Sequence, residues 1–304
     1  MSQVSPSQIF QEVANAIPDS CRENIVIIGS LAAGYHFFGD DTTKVVRTKD
    51  VDCVIEPFTA AVAAGQTIAR QLFDAGWQRR LKGDHVTPGN ESTPIKDLPA
   101  IRLYPPEADP NSEEAWFIEF LTVPQDYNSD EKEWYRLALE EGHFGLPSFR
   151  YLSLTAYDPL PAGDLGIRYA RPVMMALANL LSHPTIVPDE MSSPFHGKKI
   201  KRSNKDLGRV LAITTLADLD DYRPWAKTWK AALETAFPDD WKTHALEAGN
   251  GLRELLNSPP DLDEALHTCT YGLLNSAPAS LDALKAAGQR LEADAIEALE
   301  NYAR

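Results

Sequence analysis

Residues 25–55, IVIIGSLAAGYHFFGDDTTKVVRTKDVDCVI, predict a strand, a tight turn, a helix and a second strand in that order. The first strand is a β-branched run that ends at Gly29, a residue able to adopt positive φ. Ser30 would then cap a helix that opens at Leu31. Free backbone N–H groups at such a helix start, with a hydroxyl beside them, suit phosphate oxygens. Gly-Ser alone is most often an ordinary strand-to-helix turn.

The second strand carries two carboxylates, Asp50 and Asp52. Side chains two residues apart on a strand point to the same face, so both should project together. Like charges this close repel unless they are solvated or bridged by a cation, and Mg²⁺ is held by one or two carboxylates plus substrate phosphates. With 44 acidic residues in 304, such pairs also arise by chance at a solvated strand end. The Asp50 and Asp52 pair indicates a metal site only in combination with the Gly-Ser turn before it.

A third carboxylate lies in residues 116–123, WFIEFLTV, an apolar run that predicts an interior strand. Glu119 would be costly there unless it is paired or binds a metal ion. If this strand lies beside that of Asp50, Glu119 completes a cluster for two metal ions that activates a hydroxyl and stabilises leaving pyrophosphate. The alternative is a salt bridge from Glu119 to an arginine such as Arg102 on the preceding strand.

Gly29-Ser30, the stretch RTKDVD at residues 47–52 and Glu119 resemble the signature of the DNA polymerase beta-type nucleotidyltransferase superfamily. Residues 201–207, KRSNKDL, are similar to the Lys-Asp motif of its bacterial branch related to AbiEii toxins. The resemblance covers roughly the first 215 residues. The chain departs from the family at two places. A polar loop at residues 39–44 lengthens the gap between Gly29-Ser30 and Asp50, and residues 174–177 read MMAL where the branch usually carries a Lys-Leu pair.

The resemblance implies an enzyme of the nucleotidyltransferase class that moves a nucleoside monophosphate from an NTP to an acceptor hydroxyl and releases pyrophosphate. Gly29 and Ser30 would hold the β and γ phosphates, and Asp50, Asp52 and Glu119 would be the catalytic and metal-binding residues. The cofactor would be Mg²⁺ or Mn²⁺. The remaining expectations are that Lys205 contacts phosphate and that Asp206 orients this lysine or holds its helix. Branch members occur in toxin–antitoxin and phage-defence systems, which would imply an antitoxin partner.

Two other classes of function stay open. A glycosyltransferase also uses an Asp-x-Asp pair to hold a metal-bound nucleotide sugar, but it would release no pyrophosphate. A regulatory, nucleotide-binding module on the same fold would need no clustered carboxylates. The acceptor is equally undetermined, since a tRNA end, a protein hydroxyl and a small molecule all fit the same chemistry.

Composition indicates a cytoplasmic protein that does not bind membranes. The 29 basic and 44 acidic residues give a net charge of −15, which argues against general affinity for nucleic acid. A basic stretch at residues 196–205, HGKKIKRSNK, is the exception, and it is either a phosphate-binding or RNA-binding cluster or a solvated loop. Three scattered cysteines fit a reducing compartment, and no apolar run approaches membrane-spanning length.

The pattern predicts an α+β fold, with a nucleotidyltransferase-type mixed sheet and flanking helices over residues 1–170 and an α-helical domain over residues 171–304. Tyr222, Trp225 and Trp229 recur at helical spacing and predict core positions rather than a base-stacking platform. Helices are predicted at residues 6–16, 60–75, 131–142, 172–182, 204–217, 225–237, 239–256, 261–274 and 280–302. Strands are predicted at residues 25–28, 50–55, 77–81, 100–104 and 115–123, with a small pair from residues 149–157 and 166–169 and a mobile loop at 85–98.

Overall fold

The computed structural model describes residues 3–39, 41, 43–79, 87–109, 112, 115–126, 132–218, 222 and 224–304. The strands are β1 Gln3–Val4, β2 Ile25–Ile27, β3 Val46–Arg47, β4 Asp50–Ile55, β5 Gln78–Arg79, β6 Arg102–Tyr104, β7 Phe117–Thr122, β8 Glu133–Leu139, β9 Gly142–Ser148, β10 Leu160–Pro161 and β11 Arg168–Tyr169. The helices are α1 Pro6–Ala16, α2 Asp19–Arg22, α3 Gly29–Phe38, α4 Phe58–Asp74, α5 Leu152–Thr155, α6 Pro172–Ser182, α7 Arg202–Leu216, α8 Trp225–Ala236, α9 Trp241–Glu247, α10 Asn250–Asn257, α11 Pro259–Thr270, α12 Leu281–Leu291 and α13 Glu297–Ala303.

Nine of these strands form one mixed sheet with β4 near its centre. The order is β10-β11-β2-β4-β7-β6-β5, and the hairpin of β8 and β9 joins through β9 beside β7. Strand β4 runs antiparallel to β2 and parallel to β7. Because β2 is buried at all three of its residues, the sheet holds the following turn rigidly against β4. This is the mixed sheet of an α+β arrangement, as predicted.

Most of the predicted elements are confirmed, and α1 and α6 keep both of their predicted ends. The helix predicted at residues 131–142 is wrong, because this segment forms β8 and the turn into β9. Residues 149–157 hold the short helix α5 instead of a strand, so β11 pairs with β10. The long helices predicted at 239–256 and 280–302 are each divided, the second by a π-helical turn at Glu292–Ile296.

Parts of four predicted segments lie outside the described residues. They are residues 40 and 42 of the polar loop, 80–81 of the strand at 77–81, 85–86 of the loop at 85–98, and 131 of the helix at 131–142. Within the described part of the loop at 85–98, a short 3-10 helix forms at Ile95–Asp97.

Beyond β11, the described residues form helices α6 to α13 with connecting loops, and α6 and α7 contact α3 beside the sheet. Trp229 is fully buried and its indole donates a hydrogen bond to the Val173 carbonyl at 2.8 Å. Tyr222 and Trp225 are buried beside it, which confirms the predicted core role of these aromatics. The Ser276 hydroxyl lies 3.2 Å from the Val45 nitrogen and 3.1 Å from its carbonyl oxygen, and so ties the helical part to the loop before β3.

Candidate active site

The turn after β2 presses its backbone against β4. Helix α3 begins at Gly29 rather than at Leu31, and Ile28 occupies the N-cap position. Ser30 lies in the first turn, so the prediction that it caps the helix is wrong. The Ile28 N–H donates to the Asp52 carbonyl at 2.9 Å. Gly29 adopts φ +76°, and a Cβ there would lie 3.0 Å from Asp52 Oδ2. Only glycine therefore brings this helix start so close to the carboxylate.

The structure places the three predicted carboxylates on one side of neighbouring strands. Along β4, Asp50 and Asp52 are half-buried while Val51 and Cys53 between and beyond them are buried, as expected for alternation of faces. Asp52 is in register with Glu119 on the parallel strand β7. All three carboxylates line one cavity of about 450 Å³, which we call the carboxylate cavity.

Glu119 is also held by an arginine. Arg102 on β6 is its register partner on the other side of β7, and Arg102 Nε lies 2.9 Å from Glu119 Oε2. Arg102 Nη2 approaches the second oxygen, Oε1, at 3.4 Å. The salt bridge considered as the alternative for Glu119 is therefore formed. Within the described part of the chain, no group of three or more His, Cys, Asp or Glu side chains is arranged to hold a metal ion.

The two aspartates experience opposite electrostatic environments. Burial alone would raise the pKa of Asp50, but Lys205, Arg209 and a 2.8 Å hydrogen bond from Thr48 outweigh burial and lower this pKa below its ordinary value. Burial, followed by repulsion from Asp50 and Glu119, raises the pKa of Asp52 well above its ordinary value. The charged form of Asp52 is therefore disfavoured, first by burial and then by the two neighbouring carboxylates.

Helix α7 brings the cations to this site. Lys205 and Arg209 lie one turn apart on α7 and both line the carboxylate cavity. Repulsion from Arg209, followed by burial, lowers the pKa of Lys205. Asp50 and Asp52 counteract part of this lowering, so the cations and the two carboxylates lie close together in the cavity.

Asp206 connects α7 to α6. Its Oδ2 lies 2.9 Å from Nε2 of His183, the residue that follows α6, and its Oδ1 lies 3.4 Å from Arg209 Nη1. Burial would raise the pKa of Asp206, but the His183 hydrogen bond, Arg209 and Lys205 lower it to about 2. Asp206 is therefore a fixed carboxylate that holds the end of α6 against the helix that carries Lys205.

The predicted basic cluster at residues 196–205 divides in the structure. Lys198, Lys199 and Lys201 form ion pairs with Asp263, Glu190 and Asp261 respectively. Arg202 and Lys205 instead line the carboxylate cavity. The stretch is thus partly a surface loop with its own counter-charges and partly a wall of the site.

The remaining walls of the cavity are apolar and aromatic with a few polar groups. They include Ile28, Ala33, Leu121, Phe149, Arg150, Tyr151, Leu152, Thr155, Met175, Ala178, Asn179, Ser182, Ile213 and Leu273. A volume of about 450 Å³ falls in the range of small-ligand sites, and convergent charged groups on an otherwise apolar lining are typical of such sites.

A divalent cation suits the chemistry of the donors on β4. Asp50 and Asp52 offer carboxylate oxygens from one face of one strand, and burial together with repulsion from Asp50 and Glu119 raises the pKa of Asp52. Hard oxygen ligands of this kind are those that Mg²⁺ prefers. Both oxygens of Glu119 are engaged by Arg102, so the fit rests on the two aspartates.

No protein-family model and no curated protein matches the chain. Among solved structures, it is similar to an antigenic nucleotidyltransferase-like protein from Paracoccidioides brasiliensis, at 13% sequence identity over 82% of this chain and 96% of that chain. The TM-score is 0.34, which does not establish a shared fold. Among the described residues, no helix has the length and apolar character needed to span a membrane.

Sequence reasoning missed His183 and Arg209. Arg209 follows Lys205 by four residues, a spacing that places both on one face of a helix, so its position was available from the pattern. His183 had no comparable signal, because its contact with Asp206 joins residues 23 positions apart on two different helices.

Proposed function

We propose that the protein is a metal-dependent nucleotidyltransferase that moves a nucleoside monophosphate from an NTP to an acceptor hydroxyl. The observation that carries the proposal is that Gly29 at the start of α3, Asp50 and Asp52 on β4, and Lys205 and Arg209 on α7 all line one cavity. Such a cavity offers a backbone turn and two cations to phosphate oxygens, and two carboxylates to a metal ion.

In this proposal, the residues of the chain bind and orient the reactants. The helix start at Gly29 and Ser30 receives the β and γ phosphates, because free N–H groups and positive dipole at a helix N-terminus favour anions. Lys205 and Arg209 on α7 offset the phosphate charge. Holding the reacting groups in one geometry accounts for much of the rate enhancement expected of such a site.

Asp50 and Asp52 would hold Mg²⁺ or Mn²⁺. When bound, the ion supplies Lewis-acid stabilisation of the charge that develops on the phosphate oxygens. The acceptor oxygen forms a bond to the α-phosphorus, the bond from that phosphorus to the pyrophosphate oxygen breaks, and the hydroxyl proton passes to a carboxylate of the site or to water. That Glu119 is a further metal ligand and favours this deprotonation remains a prediction. In the structure, Arg102 contacts both oxygens of Glu119.

The division into a catalytic domain at residues 1–170 and a helical domain at residues 171–304 is part of the same proposal. Under it, the cleft between the two domains is the active site, and Lys205, Asp206 and Arg209 are the contribution of the helical domain. A toxin–antitoxin or phage-defence setting, with an antitoxin partner, would follow from the motif resemblance alone.

The test is incubation of the pure protein with each α-labelled NTP, Mg²⁺ and a host lysate, followed by separation of RNA, protein and small molecules. The doubly substituted variant Asp50→Ala/Asp52→Ala is run in parallel. We expect label in one fraction, release of pyrophosphate and loss of both in the variant by at least a hundredfold, since the variant lacks both proposed metal ligands.

Three results would contradict the proposal. One is label transfer that persists in the folded double variant. Another is turnover of a nucleotide sugar without pyrophosphate, which would identify a glycosyltransferase. The third is tight NTP binding with no transfer to any lysate fraction, which would favour a nucleotide-binding module.

A further inference from the structure

A second cavity, of about 740 Å³, adjoins the carboxylate cavity, and we call it the basic cavity. The two cavities share the side chains of Ser30, Asp50, Lys205, Arg209 and Leu273 as a common wall. Two ligands, one in each cavity, would therefore meet at the proposed reaction centre, with Asp50 between them.

The basic cavity has a charge opposite to that of the whole chain. Five cationic residues line it, namely Arg47, Lys49, Arg102, Lys205 and Arg209. Asp50 is the one acidic residue among the described residues that line it, and Asp52 and Glu119 line only the carboxylate cavity. In a chain with a net charge of −15, this local excess of cations is a specific feature of the site.

Three of these cations belong to the basic cavity alone. Arg47, Lys49 and Arg102 line it and do not line the carboxylate cavity. An NTP bound in the carboxylate cavity would reach Lys205 and Arg209 and leave these three beyond its phosphates. Arg102 is already paired with Glu119, so Arg47 and Lys49 are the two cations left for a further anion.

Arg47 and Arg102 each lie against an aromatic ring. The Arg47 guanidinium lies 5.9 Å from the centre of the Tyr271 ring, and the Arg102 guanidinium lies 5.5 Å from that of Phe117. The Arg47 Nε atom is buried and has no hydrogen-bond partner among the described residues. A buried donor without a partner is costly, and a ligand anion would satisfy it.

The other side of the basic cavity is a folded loop. Phe195 and Lys198 form an isolated β-bridge that closes a tight turn at His196 and Gly197. The ring of His196 stacks on Tyr271 at 4.8 Å with an interplanar angle of 15°. The turn thus packs on the same tyrosine as Arg47, and the cavity volume of about 740 Å³ lies in the range of small-molecule sites.

We propose that the basic cavity binds the acceptor, and that this acceptor is a small hydroxyl compound bearing a phosphate or a comparable anionic group. The inference rests on the proposed function and deepens it by naming the acceptor class. The acceptor oxygen forms a bond to the α-phosphorus of the NTP, pyrophosphate leaves as its bond to that phosphorus breaks, and the hydroxyl proton passes to a carboxylate of the site or to water. Arg47 and Lys49 hold the anionic group of the acceptor and so orient its hydroxyl, while Arg102 stays paired with Glu119 and adds positive charge to the same cavity.

The experiment uses matched pairs of probes that differ only in a phosphate group: glycerol and glycerol 3-phosphate, ribose and ribose 5-phosphate, inositol and inositol monophosphate. Binding of each to the full chain is measured by calorimetry, with and without a non-hydrolysable NTP and Mg²⁺. Transfer from α-labelled NTP is measured on the same compounds. The variants are Arg47→Gln and Lys49→Gln, and Lys198→Gln is the matched control, since Lys198 pairs with Asp263 outside the cavity.

We expect at least one phosphorylated probe to bind where its neutral counterpart does not, and to bind alongside the NTP. Each of Arg47→Gln and Lys49→Gln should weaken that binding at least tenfold without changing the NTP dissociation constant, and Lys198→Gln should change neither. Because calorimetry needs no turnover, binding of the phosphorylated probe supports the cavity assignment even if nucleotidyl transfer fails.

Several outcomes would overturn the inference while leaving nucleotidyl transfer intact. Equal binding of phosphorylated and neutral probes, or no binding of either, would contradict an anionic acceptor. Weaker NTP binding in the Arg47 and Lys49 variants, or competition between probe and NTP, would assign these cations to the triphosphate. Label that enters only RNA or protein would replace the small acceptor with a macromolecule.

Discussion

At the scale of single residues, Gly29 is required for two separate reasons: its positive φ and its close approach to the Asp52 carboxylate. The variant Gly29→Ala should lose about 1–2 kcal/mol of stability from the positive φ. It should also lose nucleotidyl transfer, because the added Cβ would meet Asp52 Oδ2 at 3.0 Å. Urea unfolding and the labelled-NTP assay measure the two effects.

Gly39→Ala is the matched control for Gly29→Ala. Gly39 also has a positive φ, of +53°, but a Cβ there would have no neighbour within 4 Å. The control should lose a similar amount of stability and keep its activity. Equal loss of activity in both variants would show that backbone strain, not crowding of Asp52, is responsible.

The two aspartates of β4 should respond oppositely to the same substitution. The pKa of Asp52 is raised, so the folded metal-free protein loses stability as pH rises from about 4 through that raised pKa. Asp52→Asn removes this loss and should stabilise the protein at pH 8 by about 1 kcal/mol. The pKa of Asp50 is lowered, so its charge contributes stability above pH 4, and Asp50→Asn should cost about 1 kcal/mol.

Urea unfolding in the presence of a chelator, from pH 5 to pH 8, measures both aspartate variants against the parent. Both should be inactive. The gain for Asp52→Asn should grow with pH up to the raised pKa. If both variants lost stability to the same extent, Asp52 would have a compensating partner and no need of a cation.

At the scale of elements, α7 is held on α11 by a buried amide. The Asn204 side chain donates to Asp261 Oδ1 at 2.8 Å and to Glu264 Oε2 at 2.7 Å, both on α11. Asn204→Ala should cost about 1–3 kcal/mol, because the buried Asp261 and the half-buried Glu264 both lose a donor. NTP binding should weaken too, since α7 carries Lys205. Unfolding curves and nucleotide titration measure these effects.

Asn257→Ala serves as the control for Asn204→Ala. The Asn257 amide donates to the Arg253 carbonyl at 2.9 Å, but it is exposed. Water replaces that bond, so the substitution should change stability by less than about 0.5 kcal/mol. A similar cost at both positions would mean that the contact between α7 and α11 does not depend on the buried amide.

The elements also show which parts of the fold the sequence could predict. Helices α1 and α6 were predicted to the residue because each begins at a proline, which suits the first helical position and no interior one. The helix predicted at residues 131–142 failed because Leu, Ala and Glu favour helix locally, whereas pairing of β8 with β9 along its whole length determines the structure. In the structure buried Leu137 and Leu139 alternate with exposed Ala138, but the sequence Leu-Ala-Leu is apolar throughout and shows no such alternation.

The candidate site was predictable where its residues lie close in sequence. Asp50 and Asp52 share a face because of strand periodicity, which needs no tertiary information. The ion pair of Glu119 with Arg102 was foreseen only as an alternative, because it depends on the register of β6 with β7. The contact of His183 with Asp206 depends on how two helices pack, and no local pattern specifies it.

At the scale of the whole molecule, the sheet and the helical part share the carboxylate cavity, so a ligand there should stabilise both together. Strand β4 contributes Asp50 and α7 contributes Lys205 to the same walls, and Ser276 is hydrogen-bonded to Val45 across the two parts. At a hundred times its Kd, a non-hydrolysable NTP with Mg²⁺ stabilises the folded state by about 2.7 kcal/mol. For a chain of this size, the Tm should rise by roughly 5 °C.

Far-UV circular dichroism and tryptophan fluorescence should report the same rise in Tm. Trp229 lies buried in the helical part and Trp77 in the sheet region, so fluorescence samples both. The variant Asp50→Ala/Asp52→Ala should show no rise, because it lacks the two carboxylates that would bind the metal ion with the NTP. If only one of two resolved transitions moved with the ligand, the nucleotide would bind one part alone, and Lys205 and Arg209 would have no place in its site.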